Sequence, residues 1–203
     1  MRSEMIIFDE GKLRDRLATL PIEGAVTFAA CCAERLMPSL IHYANLNKAF
    51  DRDCYLNGME LMWLAAAGQH IERKKLELFE KQCVVPTEDQ SWEFGEPYAE
   101  DAAAAVIYTI QTWLLNKREY AAFAARRAYE VVDHVITGHM ENFPNLESEE
   151  LAVLSYPSLQ RELERQQSDL AKIEVCGIAL TENIVCKLRD KAKNDSASVL
   201  NLS

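Results

Sequence analysis

Glycine and proline are scarce in this chain, with seven and six in 203 residues. Sandwiches and barrels spend both freely on turns, so the scarcity favours helices. No run alternates apolar and polar residues with period two, and no sheet is expected. Long hydrophobic runs are missing as well. None is expected to reach the ~18 residues of a membrane span, and the MII run near the N-terminus is too short for a signal peptide. Phosphate-cradling loops are absent: there is no G-x-x-x-x-G-K and no G-x-G-x-x-G. Cations are in deficit rather than excess. Residues 1–97 and 98–203 each carry 11 Lys/Arg against 16 Asp/Glu, for a net charge of −10. Neither half is a basic module, which argues against nucleic-acid and membrane partners. Six cysteines (31, 32, 54, 83, 176 and 186) make no C-x-x-C and no zinc pattern. They read as free thiols acting as small hydrophobes, which implies a reducing compartment and a cytoplasmic protein.

What the chain has is helical spacing almost throughout. A length of 203 residues allows roughly 70% of the unfolded surface to be buried, enough for one core without staples. The fold expected is all-α, a compact bundle of about seven or eight helices in one domain over 1–193. A subdivision near the 84–97 linker is the alternative, and 194–203 reads as a flexible tail. Asp9 can cap a first helix ending near Leu20. The second covers Ile22–Leu46, where Pro38 either kinks it or splits it. Its stretch VTFAACCAERLMPSL (26–40) is apolar almost all round and belongs at the centre of the fold. A third helix sets Tyr55, Met59, Met62, Trp63 and Ala66 on one face, ending near Gly68, and Ile71–Cys83 makes a shorter, charged one. Ala102–Leu114 and Tyr120–Val135 form an antiparallel hairpin around Asn116-Lys117. Pro157 then heads a long helix from Ser158 to about Lys193, with Leu159, Leu163, Leu170, Ile173, Leu180 and Ile184 at heptad-like spacing. Gln166 and Gly177 interrupt that stripe. Its cover is either the alanine-rich hairpin of the same chain or a second copy, a homodimer.

Four stretches, in order along the chain, resemble the bacterial family known as "domain of unknown function 416", the YjaG-like proteins. They are FAACCAERLMPSL at 28–40, the Tyr55…Leu61…Trp63 helix after an acidic break, the acidic link into Asp101-Ala102-Ala103, and YPSLQRELERQQSDL at 156–170. The resemblance implies an all-helical cytoplasmic protein of about this length, with no activity, cofactor or catalytic residue to carry over. Genome context in that family suggests a link to histidine-kinase signalling. This chain differs in a longer N-terminal lead and a polar tail.

Few residues are candidates for a site. Glu34-Arg35 breaks an otherwise apolar helix, and buried charge is costly unless partnered. It either lines a binding pocket or, with Glu23, Thr27 and Ala30, belongs to a stripe facing water or a polar neighbour. Residues 87–101 carry six acids, no base and three aromatics, Trp92, Phe94 and Tyr98. With Asp101 they suit a basic protein partner, or simply pin the loop to the bundle. Glu130/His134 alone has metal-ligand spacing, and two ligands do not make a site. Arg126-Arg127 and Arg73-Lys74-Lys75 should pair with Glu72, Glu77 and Glu130. No catalytic residue, metal or cofactor is expected. The function implied is a non-enzymatic interaction or regulatory protein with an unidentified protein partner. The alternative is a small-molecule binder or enzyme with a pocket between helices.

Overall fold

The computed structural model describes residues 5–46, 50–83, 96–139 and 151–200, with side chains for all of these except 96, 97, 138, 139 and 197–200. The chain is all-α, and there is no strand among the described residues. Among the described residues the long α-helices are, in order, α1 Glu10–Ala18, α2 Ile22–Leu46, α3 Arg52–Ala66, α4 Arg73–Gln82, α5 Glu96–Leu114, α6 Glu119–His139, α7 Pro157–Cys176 and α8 Glu182–Leu200. Residues 151–154 are also helical.

Helix α2 is the axis of the bundle. Every residue from Gly24 to Met37 is buried, and α5, α6, α7, α8 and α3 pack around it. This helix is long and apolar enough to cross a membrane, contrary to expectation, but 89% of its apolar window is buried inside the bundle. Core packing accounts for its composition. Alanines at 25, 29, 30 and 33 on α2, 102, 103 and 105 on α5, and 121, 122, 124, 125 and 128 on α6 are all buried. Small side chains let the axes approach closely. Gly24 takes this furthest: a Cβ there would lie 3.1 Å from Ile173 Cγ2 on α7. Pro38 does not split α2, which stays helical through it.

The α5–α6 hairpin turns at Asn116, whose φ of 52° suits asparagine. The long C-terminal helix is two helices, not one. Gly177 has φ +50°, a conformation other residues rarely adopt, and a 3-10 turn over Gly177–Ala179 follows. The apolar phase changes across this break. Leu159, Leu163, Leu170 and Ile173 are buried on α7, but on α8 the buried set is Val185, Leu188 and Ala192. Leu180 and Ile184 are only half-buried. The α7 stripe is covered by its own chain. Helix α8 also continues to Leu200, with Ser196 buried, where a tail from residue 194 was expected.

The lead before α1 is docked. The Ile6 amide donates to Gln160 Oε1 (2.8 Å), and Gln160 Nε2 donates back to the Ile6 carbonyl (2.9 Å). Phe8 stacks on Tyr129 with centroids 5.0 Å apart. Cys54 and Cys83 are joined in a disulfide, which corrects the reading of all six cysteines as free thiols. Helical spacing cannot reveal that the start of α3 and the end of α4 meet.

Candidate functional site

Glu34 and Arg35 are adjacent on α2 but do not pair with each other. A step of about 100° per residue sends them to different neighbours. Glu34 accepts from Trp63 Nε1 on α3 at 2.6 Å. Its stripe with Thr27 and Ala30 is buried, so it faces a polar neighbour and not water. Arg35 is 0% exposed and reaches α7. Its Nε and one terminal nitrogen donate to Glu162 Oε1 (3.2 and 2.9 Å), and the other donates to Asp169 Oδ2 (2.8 Å). Asp169 also accepts from Lys191 on α8 at 2.6 Å. Gln166 Nε2 donates to Glu162 Oε1 (3.0 Å) and to the Ala125 carbonyl of α6 (3.1 Å). Four helices therefore share one hydrogen-bonded cluster centred on Arg35. Glu162 Oε2 is buried with no hydrogen-bond partner among the described residues.

The electrostatics follow from burial and pairing. Burial works against the charge of Arg35, but Glu162, Cys32 and Asp169 outweigh it and hold the guanidinium well above its ordinary pKa. Beside it, burial pushes the Cys32 thiol up to about 12 despite the pull of Arg35. Burial, then the Asp169 charge, raises Cys31 as well. Neither sulfur is a nucleophile at neutral pH. Two of the stretches that carry the family resemblance, 28–40 and 156–170, are those that meet here.

A second cluster lies between α5 and α6. Asp101 is buried and accepts from Arg127 at 3.0 Å, and Arg127 also pairs with Glu130 at 2.9 Å. His134 Nδ1 stands 3.8 Å from Asp101 with half its side chain in water. Burial raises the Asp101 pKa, and the Arg127 bond opposes it only in part. Asp101 is thus turned inward and occupied. Tyr98 is half-buried against the core, and Trp92 and Phe94 lie outside the described residues. Most of the acidic–aromatic stretch thus falls outside the described residues. The basic groups pair locally, Arg73 with Glu77 (2.9 Å) and Lys75 with Glu72 (3.7 Å), and Arg126 reaches Glu10 on α1. No three His, Cys, Asp or Glu side chains converge as a metal site among the described residues.

A groove of about 680 Å³ runs between the docked lead, α1 and α7. Phe8, Leu13, Leu163 and Leu170 line it, with Lys12 and Arg16 as its cations. Arg16 is bound to Glu174 through two hydrogen bonds (2.8 and 2.7 Å). Gln166 also lines the groove, one side chain from Arg35.

Sequence reasoning found Arg35 but missed Glu162, Gln166, Asp169 and Lys191. The available signal was the spacing of 162, 166 and 169, three polar residues at helical steps beside Leu159, Leu163 and Leu170. The interruption at Gln166 was part of a polar stripe on the core face.

The family model described as "Protein of unknown function (DUF416)" matches residues 12–203. The polar tail therefore lies within the family's span, and only residues 1–11 fall outside it. A crystal structure of a DUF416 family protein from Shewanella baltica OS155 superposes with a TM-score of 0.76 at 18% identity, covering 88% of this chain and 92% of that one. At that identity it shows a shared fold. No curated protein matches the sequence.

Proposed function

The chain belongs to the DUF416 family of proteins of unknown function, and from that premise we propose that it is a non-enzymatic interaction or regulatory protein of the bacterial cytoplasm. One observation carries the reading. At the corner between α7 and α8, Val175 is 88% exposed and Ile178 97% exposed. These are the two most exposed of the large apolar side chains among the described residues, and apolar surface left in water is what interaction sites use. Glu174 and Glu182 flank the corner, and the chain carries a net charge of −10. The partner that fits is a protein with an apolar patch ringed by cations. The exposed thiol of Cys186 suits a reducing compartment. A partner in histidine-kinase signalling is one class the same experiment reports.

A photo-crosslinking residue placed at Ile178 in cells should give one discrete adduct. That adduct should weaken as salt rises and disappear with Val175→Asp, while circular dichroism stays unchanged. An adduct with a second copy of this chain would replace the partner by a dimer. No adduct above that of a control position on α4 would refute the reading.

The groove beside α1 favours a second reading, a small-molecule binder between helices. A metabolite that raises the melting temperature of the wild type but not of Leu163→Trp would support it.

A further inference from the structure

We propose that Cys54–Cys83 is a reversible redox clasp that fastens α4 to the bundle, making these two cysteines a modification site for low-molecular-weight disulfides and thiols. The bond joins the first turn of α3 to the C-cap of α4, with Cα atoms 6.4 Å apart and a separation of 29 positions in sequence. Both side chains are buried, at 5% and 1% exposure.

Three observations give the bond a switching role rather than a merely structural one. First, little besides the bond holds α4 to the bundle. Leu76 is its one buried residue, supported by half-buried Phe79 and by a hydrogen bond from Gln111 to Glu80 (3.0 Å). Leu78 stands exposed on it. A helix anchored this lightly opens locally at low cost, and opening admits a thiolate to the buried sulfurs. Second, the bundle around α2 does not depend on the bond, because α5, α6, α7 and α8 pack there without α4. Third, Cys186 is an exposed free thiol and Cys176 a half-buried one. A chain that keeps an exposed thiol suits surroundings where disulfides are transient and regulatory.

The exchange balances. One cysteine thiolate attacks oxidised glutathione, forming a mixed disulfide and expelling a glutathione thiolate. The second cysteine attacks the mixed disulfide, expelling the other. Two protein thiols lose two electrons, two glutathione molecules gain them, and the two protons leave on the glutathione thiols. A thiol reductant runs the steps in reverse.

The test is hydrogen exchange of the full chain, read by mass spectrometry after incubation with oxidised glutathione and after reduction. Peptide mapping should find the 54–83 bond in the oxidised sample. Reduction should speed exchange of α4 amides at least about tenfold and leave α2, α5 and α7 unchanged. Cys83→Ser under oxidant should match the reduced wild type. Three outcomes overturn the proposal: both thiols staying alkylatable after oxidant, α4 exchange indifferent to reduction, or protection lost across the whole bundle. Because reduction is applied to the wild type, the test stands even if the variant does not fold.

Discussion

Arg35 and Arg127 each pair with two acidic side chains, yet the surroundings differ. Arg35 is sealed among α2, α7 and α8, with Glu162 and Asp169 almost fully buried beside it. Arg127 lies at the edge of α5 and α6, one-third exposed, with Glu130 in similar contact with water and only Asp101 buried. In the first cluster no water can replace a lost partner, so each ion is held by the others and the set stands or falls together. In the second, solvent reaches Arg127 and Glu130 and offsets part of what a removed partner supplied. Identical chemistry thus locks helices in one place and only tunes their edge in the other.

The largest effect should come from Arg35→Met, which leaves Glu162 and its neighbour without their shared cation. A loss of ~3–5 kcal/mol is expected from breaking a fully buried pair, measured by urea unfolding. Adding Glu162→Gln and Asp169→Asn to that variant should recover part of the loss. No recovery would mean that shape, not charge, is what Arg35 supplies.

Trp63→Phe removes the donor to Glu34 and keeps most of the ring. It should cost about 1–3 kcal/mol, the range for stranding a buried acceptor. A cost near zero would put Glu34 in water.

Asp101→Asn should show a smaller effect with a definite pH dependence. Burial raises the Asp101 carboxyl above its usual 3.8. A group raised on folding adds stability that is complete below the unfolded value and lost as pH rises through the folded one. The melting-temperature advantage of wild type over the variant should therefore shrink as pH rises from about 3 through the raised value. An advantage that grows with pH would show that the Arg127 pairing outweighs burial.

The smallest effect belongs to Arg73→Ala. It breaks an exposed pair with Glu77 and should change stability by less than ~0.5 kcal/mol.

Much of this fold was legible in the sequence, because helical periodicity and one apolar stretch define most of it. The bounds of α2 and the α5–α6 hairpin follow from side-chain spacing and a short polar turn, which are local properties. The break at Gly177 was visible only as an irregularity. Heptad spacing on both sides suggested continuity, while a backbone reversal was what the glycine supplied. The Arg35 cluster was half legible. A lone charge on a buried helix must have partners, but which helix supplies them depends on three-dimensional neighbours. The Cys54–Cys83 pairing had no local signal.

Gln160 returns both backbone groups of Ile6 as a neighbouring strand would, so a single side chain acts as the partner edge for an extended segment. This docking lies upstream of residue 12, where the family's shared span begins. A chain trimmed to that span would lose Phe8 from Tyr129 and remove one wall from the groove over Leu163 and Leu170. Homology boundaries and folding boundaries thus part company at this end of the molecule, and the few residues between them decide whether that apolar trough has a side or lies open.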